Sequence, residues 1–234
     1  MQKISQEYGT DLTHIIVLNE PNVFASMSYL TGEWPPQEHG WAHFLAVYWN
    51  LAHAHRKAYK ILKNDHPHLQ VGIAAQLGNI QAKRPHNLLD VATTKWMRYF
   101  WNWWFLRRIR RQQDFVGINY YFTDYYRDFH RDNPTVPAND LGWYMEPEGV
   151  FPLLLRTWAR YKKPIFITEN GVADANDQST LQLNFDNVHG LVAHNTFDGV
   201  DIGVLIANHA QDLDITGNTF ENIIRVEFFI KKSV

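Results

Sequence analysis

The chain has 234 residues, 45% hydrophobic and 20% charged, with a formal net charge of −2, the balance of an ordinary globular protein with room for one large domain or two small ones. Near-neutral charge supplies no overall field for nucleic acid or an anionic membrane, and the absence of cysteine excludes disulfide scaffolds, thiolate metal sites and cysteine nucleophiles. No stretch approaches the roughly 18 uninterrupted apolar residues of a membrane span, and the opening MQKISQEYGTDLTH holds no signal-peptide core, so a cytoplasmic protein is expected.

Residues 14–18, HIIVL, form a β-branched run stopped by the proline of NEP, as expected of a strand buried on both faces. After the Gly/Pro-punctuated TGEWPPQEHG, apolar residues recur at helical spacing from Trp41 to about Asn64 (Phe44, Val47, Tyr48, Leu51, Ala54, Ala58, Ile61, Leu62), predicting an amphipathic helix. LQVGIAAQ (69–76) reads as a second buried strand, KWMRYFWNWWFLRRIRR (95–111) as a second helix and DFVGINYY (114–121) as a third strand. The excursion from Phe122 to about Gly149 is longer than a connection needs and is a candidate functional loop. FPLLLRTWARYKK (151–163) predicts a third helix, and PIFITEN a fourth buried strand. Strands alternating with helices predict an α/β fold with a parallel sheet covered by helices.

From about Ser179 the texture changes. HNTFDGV (194–200) aligns with GNTFENI (217–223), pairing Asn195 with Asn218, Thr196 with Thr219 and Phe197 with Phe220 at a period of 23 residues. Short alternating strands separated by Asn, Asp and Gly resemble the rungs of a right-handed parallel β-helix. The expected organisation is a βα unit over residues 1–178 and a β-rich tail over 179–234.

In a parallel sheet with outer helices, side chains able to do chemistry collect at the carboxyl ends of the strands. Three predicted strands end on polar groups: Asn19 and Glu20, Asn119 and Tyr121, and Glu169 and Asn170. Two carboxylates brought to one rim are what glycosidic bond cleavage requires. One protonates the leaving oxygen and the other attacks the anomeric carbon, at a separation of about 5 Å for retention and wider for inversion.

VLNEPNVFASMSYLTGEWPP, DFVGINYY and LGWYMEPEGVFPLLLRTWARYKKPIFITENG resemble glycoside hydrolase family 1, the β-glucosidase and β-galactosidase family, across residues 1 to about 177. The resemblance implies a (β/α)8 TIM barrel, a retaining double displacement on a β-linked glycoside or oligosaccharide, and no cofactor. Position by position, Glu20 matches the general acid/base and Glu169 the nucleophile. Asn19 matches the residue that bonds the sugar 2-hydroxyl, Tyr121 the one that hydrogen-bonds the nucleophile, and Asn119 a neighbour in the same pocket. Only the fourth to seventh of the family's eight strands are matched, and the segments that grip the glycone ring are missing. The expected architecture is therefore a partial barrel of about four βα units followed by the β-helix-like tail. Its first and fourth strands are open edges that need covering, by the tail or by a second copy in a homodimer that completes the barrel.

Other residues have plainer readings. Trp34, in GEWPP, either lines outer substrate subsites or packs in its loop. Trp101, Trp103 and Trp104, with Phe100 and Phe105, sit on a predicted helix and are expected in the core. Arg107, Arg108, Arg110 and Arg111 read as a solvated helix end and not a nucleic-acid surface. His39 and His43 have the spacing of helical metal ligands, but no acidic partner completes an HExxH-type site, so no metal is expected. Two functions from different classes follow. One is a β-glucosidase-like hydrolase; the other is a truncated or chimeric, non-catalytic fragment serving as scaffold or weak carbohydrate binder.

Overall fold

The computed structural model describes residue 3, residues 7–171 and 173, and seven strand segments between 181 and 228. In chain order the first elements are β1 (His14–Asn19), α1 (Pro21–Tyr29), α2 (Trp41–Asp65), β2 (Gln70–Gln76), β3 (Asn79–Ala82) and α3 (Leu88–Met97). A π-helical turn over Arg98–Trp103 leads into α4 (Trp104–Ile109), β4 (Val116–Tyr120), β5 (Thr123–Arg127), β6 (His130–Arg131), α5 (Val150–Tyr161) and β7 (Ile165–Asn170). Strands β1, β2, β4 and β7 form a four-stranded sheet in that order, every neighbouring pair parallel, with helices crossing between successive strands. This is a partial TIM barrel.

The two central strands are buried almost throughout, so QVGIAAQ and VGINY lack polar alternation. At Gly117 a Cβ would lie 2.6 Å from the Ile73 carbonyl oxygen and 3.0 Å from Thr168 Cγ2, a close approach that only glycine permits. The core joins Ile73 and Ile118 of the sheet to Phe44 and Tyr48 of α2 and Trp104 and Phe105 of α4. Tyr48 stacks on Trp104 with ring centroids 4.5 Å apart, while its buried hydroxyl has no hydrogen-bond partner among the described residues. An unpaired buried hydroxyl is costly, so Tyr48→Phe is expected to be neutral or to stabilise by on the order of 1 kcal/mol, read as a higher urea midpoint at unchanged slope.

The structure differs from the sequence expectation at several elements. Strands β1 and β7 are not buried on both faces: Ile16, Phe166 and Ile167 are 43%, 41% and 42% exposed. Their composition is that of inner strands, but in a four-stranded sheet they are the edges, and neither has a second neighbour among the described residues. The segment over 95–111 is helical as expected, but six residues wound as π-helix join α3 to α4. The wider turn delivers Trp103, Trp104 and Phe105 to the core, and Trp101 Nε1 donates to Gln76 Oε1 at 2.6 Å. The excursion after β4 contains β5, parallel to β3 and antiparallel to β6. Helix α1 was not foreseen, since PNVFASMSY is short and rich in small residues.

In the C-terminal part, strand backbones pair in three parallel stacks. One comprises β8 (Leu181–Asn184), β11 (Ile202–Ala207) and β14 (Arg225–Phe228); another β9 (Gly190–Ala193) and β12 (Leu213–Thr216); the third β10 (Thr196–Asp198) and β13 (Thr219–Glu221). Thr196 faces Thr219, Phe197 faces Phe220 and Leu213 faces Gly190, partners 23 positions apart. The tail is β-helix-like. The boundary near Ser179, Asn195 and Asn218 lie outside the described residues.

Candidate active site

Glu20 closes β1 and precedes Pro21, the first residue of α1. A residue before proline is disfavoured in the right-handed helical region, and Glu20 sits at φ 43°, ψ 55° in the left-handed one. Such a conformation costs on the order of 1–3 kcal/mol for a residue with a side chain. It is held by the Glu20 N–H donating to the Ala74 carbonyl at 2.7 Å. The Glu20 carboxylate does not cap α1. It accepts instead from Asn119 Nδ2 at 2.8 Å, and the same nitrogen lies 3.3 Å from Asn19 Oδ1. Thr168 Oγ1 donates to Asn119 Oδ1 at 2.6 Å, which decides the end of the amide that faces Glu20.

Glu169 enters from the opposite edge, on β7. The register of β7 against β4 shifts between Ile118 and Asn119, so that Ile118 pairs with Ile167 but Asn119 pairs with Glu169. The residue passed over is Thr168. A similar shift interrupts β1 against β2 between Ile16 and Asn19. Each glutamate-bearing strand thus carries an irregularity just before its acid, a device that re-aims side chains beside reactive sites. Tyr121 OH donates to Glu169 Oε2 at 2.5 Å. The Trp143 ring lies 5.7 Å from that of Tyr121 and 5.2 Å from that of Phe122, buttressing the tyrosine. Thr168 and Trp143 were not singled out from the sequence, although both stand in the segment that carries the family resemblance.

Electrostatics separate the two acids. Burial pushes the Glu20 carboxyl above its ordinary value, the Asn119 hydrogen bond opposes this, and the charge of Glu169 pushes it up again. Burial, the hydrogen bond to Glu169 and its charge raise the Tyr121 phenol well above its usual range, so Tyr121 remains a donor. Because the Asn119 bond favours ionised Glu20, Asn119→Ala is expected to raise the Glu20 pKa. Glu169→Gln removes a like charge and is expected to lower the Glu20 pKa, read by NMR titration of its side-chain carboxyl.

The structure thus gathers Asn19, Glu20, Asn119, Tyr121 and Glu169. Trp34 is not among the residues that these hydrogen bonds connect. It is 44% exposed on the loop after α1, with its N–H on the Met27 carbonyl at 3.1 Å, and no hydrogen bond or ring contact joins it to the glutamates among the described residues. His43 Nδ1 lies 2.9 Å from Glu38 Oε2, and no three His, Asp or Glu side chains cluster as a metal site would need among the described residues. No helix among the described residues is long and apolar enough to cross a membrane.

The profile of Glycosyl hydrolase family 1 matches residues 1–111 and 106–190. A chloroplastic beta-glucosidase-like protein of Oryza sativa subsp. japonica is 28% identical over 179 residues, which cover 69% of this chain and 27% of that protein. A beta-galactosidase of Sulfolobus acidocaldarius is 26% identical over 212 residues, covering 76% and 41%. The crystal structure of Fpglu1 from Fervidobacterium pennivoraus matches with a TM-score of 0.68 at 25% identity, covering 76% of this chain and 43% of that one. The chain therefore spans 27% to 43% of the length of these relatives. With the family profile running through both glutamate motifs, and the barrel strands that carry them in family order, this chain belongs to Glycosyl hydrolase family 1.

Proposed function

We propose that the site performs retaining, β-glucosidase-like hydrolysis of β-linked O-glycosides by double displacement. In the first step a Glu169 oxygen attacks the anomeric carbon, the bond to the leaving oxygen breaks, and the Glu20 proton passes to that oxygen. In the second, Glu20 takes a proton from water, the resulting hydroxide attacks the same carbon, and Glu169 is released. Asn19 and Asn119 offer amide groups for sugar hydroxyls, and Tyr121 holds the nucleophile. The observation that carries this reading is the hydrogen-bonded chain Glu20–Asn119–Thr168 beside the pair Tyr121–Glu169. It fixes one carboxyl, whose pKa burial and the charge of Glu169 raise, while the other stays in the grip of a phenol.

The test is hydrolysis of an aryl β-glucoside by the purified chain, with the anomer first released identified by NMR. The β anomer is expected; the α anomer would rule out double displacement. A second reading, a scaffold or weak carbohydrate binder without turnover, is favoured by the exposed edges at Ile16 and Phe166. Turnover no greater than that of the glutamate variants would select it. For an active chain we propose that a second copy sets its β1 beside this β7, bringing the four strands to the eight of a closed barrel. A clean monomer by light scattering would remove that arrangement.

A further inference from the structure

An open cavity of about 660 Å³, whose lining includes neither glutamate, lies between the α3/π-turn segment and α5, lined by Lys95, Arg98, Tyr99, Trp103, Arg156 and Arg160. Its four cations form no ion pair with any carboxylate among the described residues. Arg156 and Arg160 occupy one face of α5 four residues apart, where like charges repel.

Two of the guanidiniums are held in place by neutral oxygens. Arg98 Nε donates to the Ile80 carbonyl at 2.6 Å, and an Arg156 terminal nitrogen donates to Asn79 Oδ1 at 2.9 Å. Adjacent residues of β3 therefore orient both side chains without neutralising either, and their remaining N–H groups have no protein acceptor among the described residues. Burial, and then the like charge of Arg156, pull the Arg98 guanidinium down to about 10. The Arg160 guanidinium lies 5.2 Å from the centre of the Trp103 ring, and Tyr99, 38% exposed, offers a ring at the rim.

Converging cations, preset by neutral acceptors around a concavity, suit a ligand with several closely spaced negative charges and many acceptor oxygens. A single carboxylate would leave most of them uncompensated. We propose that this cavity is a binding site for a polyphosphate chain, inorganic or carried by a nucleotide, separate from the glycosidase chemistry. Arg98 and Arg156 grip the inner phosphate oxygens, and Lys95 and Arg160 close over the outer ones.

The experiment is calorimetric titration of the full chain with inorganic tripolyphosphate and with ATP, both without divalent metal and at two salt concentrations. One saturable site is expected, weakening as salt rises. Lys95→Gln/Arg160→Gln changes two exposed residues and is expected to reduce affinity about 30-fold or more at unchanged thermal unfolding. Lys57→Gln/Lys60→Gln, exposed positions on α2, is expected to leave affinity within about twofold. Equal affinities would identify the phosphate chain alone as ligand. A preference for ATP removed by Tyr99→Ala would identify a nucleotide. The proposal is overturned by no saturation at millimolar tripolyphosphate, or by equal losses in the two double variants. It is also overturned by an oligonucleotide that binds through Lys95 and Arg160 when tripolyphosphate does not.

Discussion

Glu169→Ala is expected to reduce hydrolysis of an aryl β-glucoside by roughly 10⁴-fold or more, the scale on which loss of a covalent nucleophile is felt. The Tyr121 hydroxyl loses its acceptor at 2.5 Å, and no other carboxylate among the described residues joins the cluster to replace it. Added azide distinguishes this variant from Glu20→Ala. With Glu169 removed, azide enters the vacated space, attacks the anomeric carbon from that face, and yields the α-glycosyl azide. With Glu20 removed, Glu169 still forms the glycosyl intermediate from a substrate with a good leaving group, and azide attacks from the opposite side to yield the β product. Glu20→Ala is expected to cost about 10²–10⁴-fold, the range for a general acid/base. Identical azide products from the two variants would sink the assignment of roles.

Ile118→Ala is expected to destabilise the fold by about 2–5 kcal/mol, as a lower midpoint in urea unfolding. Ile118 is completely buried in β4, with β2 on one side and β7 on the other, and it packs into the cluster shared by α2 and α4. Truncation leaves a cavity in the most constrained layer of the molecule, where neighbours on both sides cannot collapse inward. Asn119 and Gly117 flank it, so the same change is expected to loosen the Asn119 grip on Glu20 and lower kcat more than it raises KM. An effect under 1 kcal/mol would mean that the four-stranded sheet lacks the rigid core described above.

Much of this was readable from the sequence because it is written in local pattern. The apolar runs ending in NEP, GINYY and TENG placed the polar ends of three strands, and 3.6-residue spacing placed α2. The runs of β1 and β7 did not show that these strands would be edges. An apolar strand reads the same whether or not a neighbour lies beside it, and their exposure depends on strands that the described fold does not supply. KWMRYFWNWWFLRRIRR satisfies helical periodicity as a whole, so the π-turn was invisible. It accompanies the reach of Trp101 to Gln76 and of Trp103 and Trp104 to the core.

The sequence by itself determined the candidate residues for the chemistry, because residue type and strand-end position are one-dimensional properties. How they are brought together was decided only by tertiary structure. The left-handed turn at Glu20, the register shifts in β1 and β7, and the Thr168–Asn119–Glu20 relay all depend on which backbone lies beside which. Likewise the repeat in the tail was legible as a 23-residue period, but its pairing into parallel stacks is a statement about neighbours. Hydrogen-bond partners a hundred residues apart, as Asn119 and Asn19 are, leave no periodic trace in either segment; only the order of strands in the sheet makes them meet.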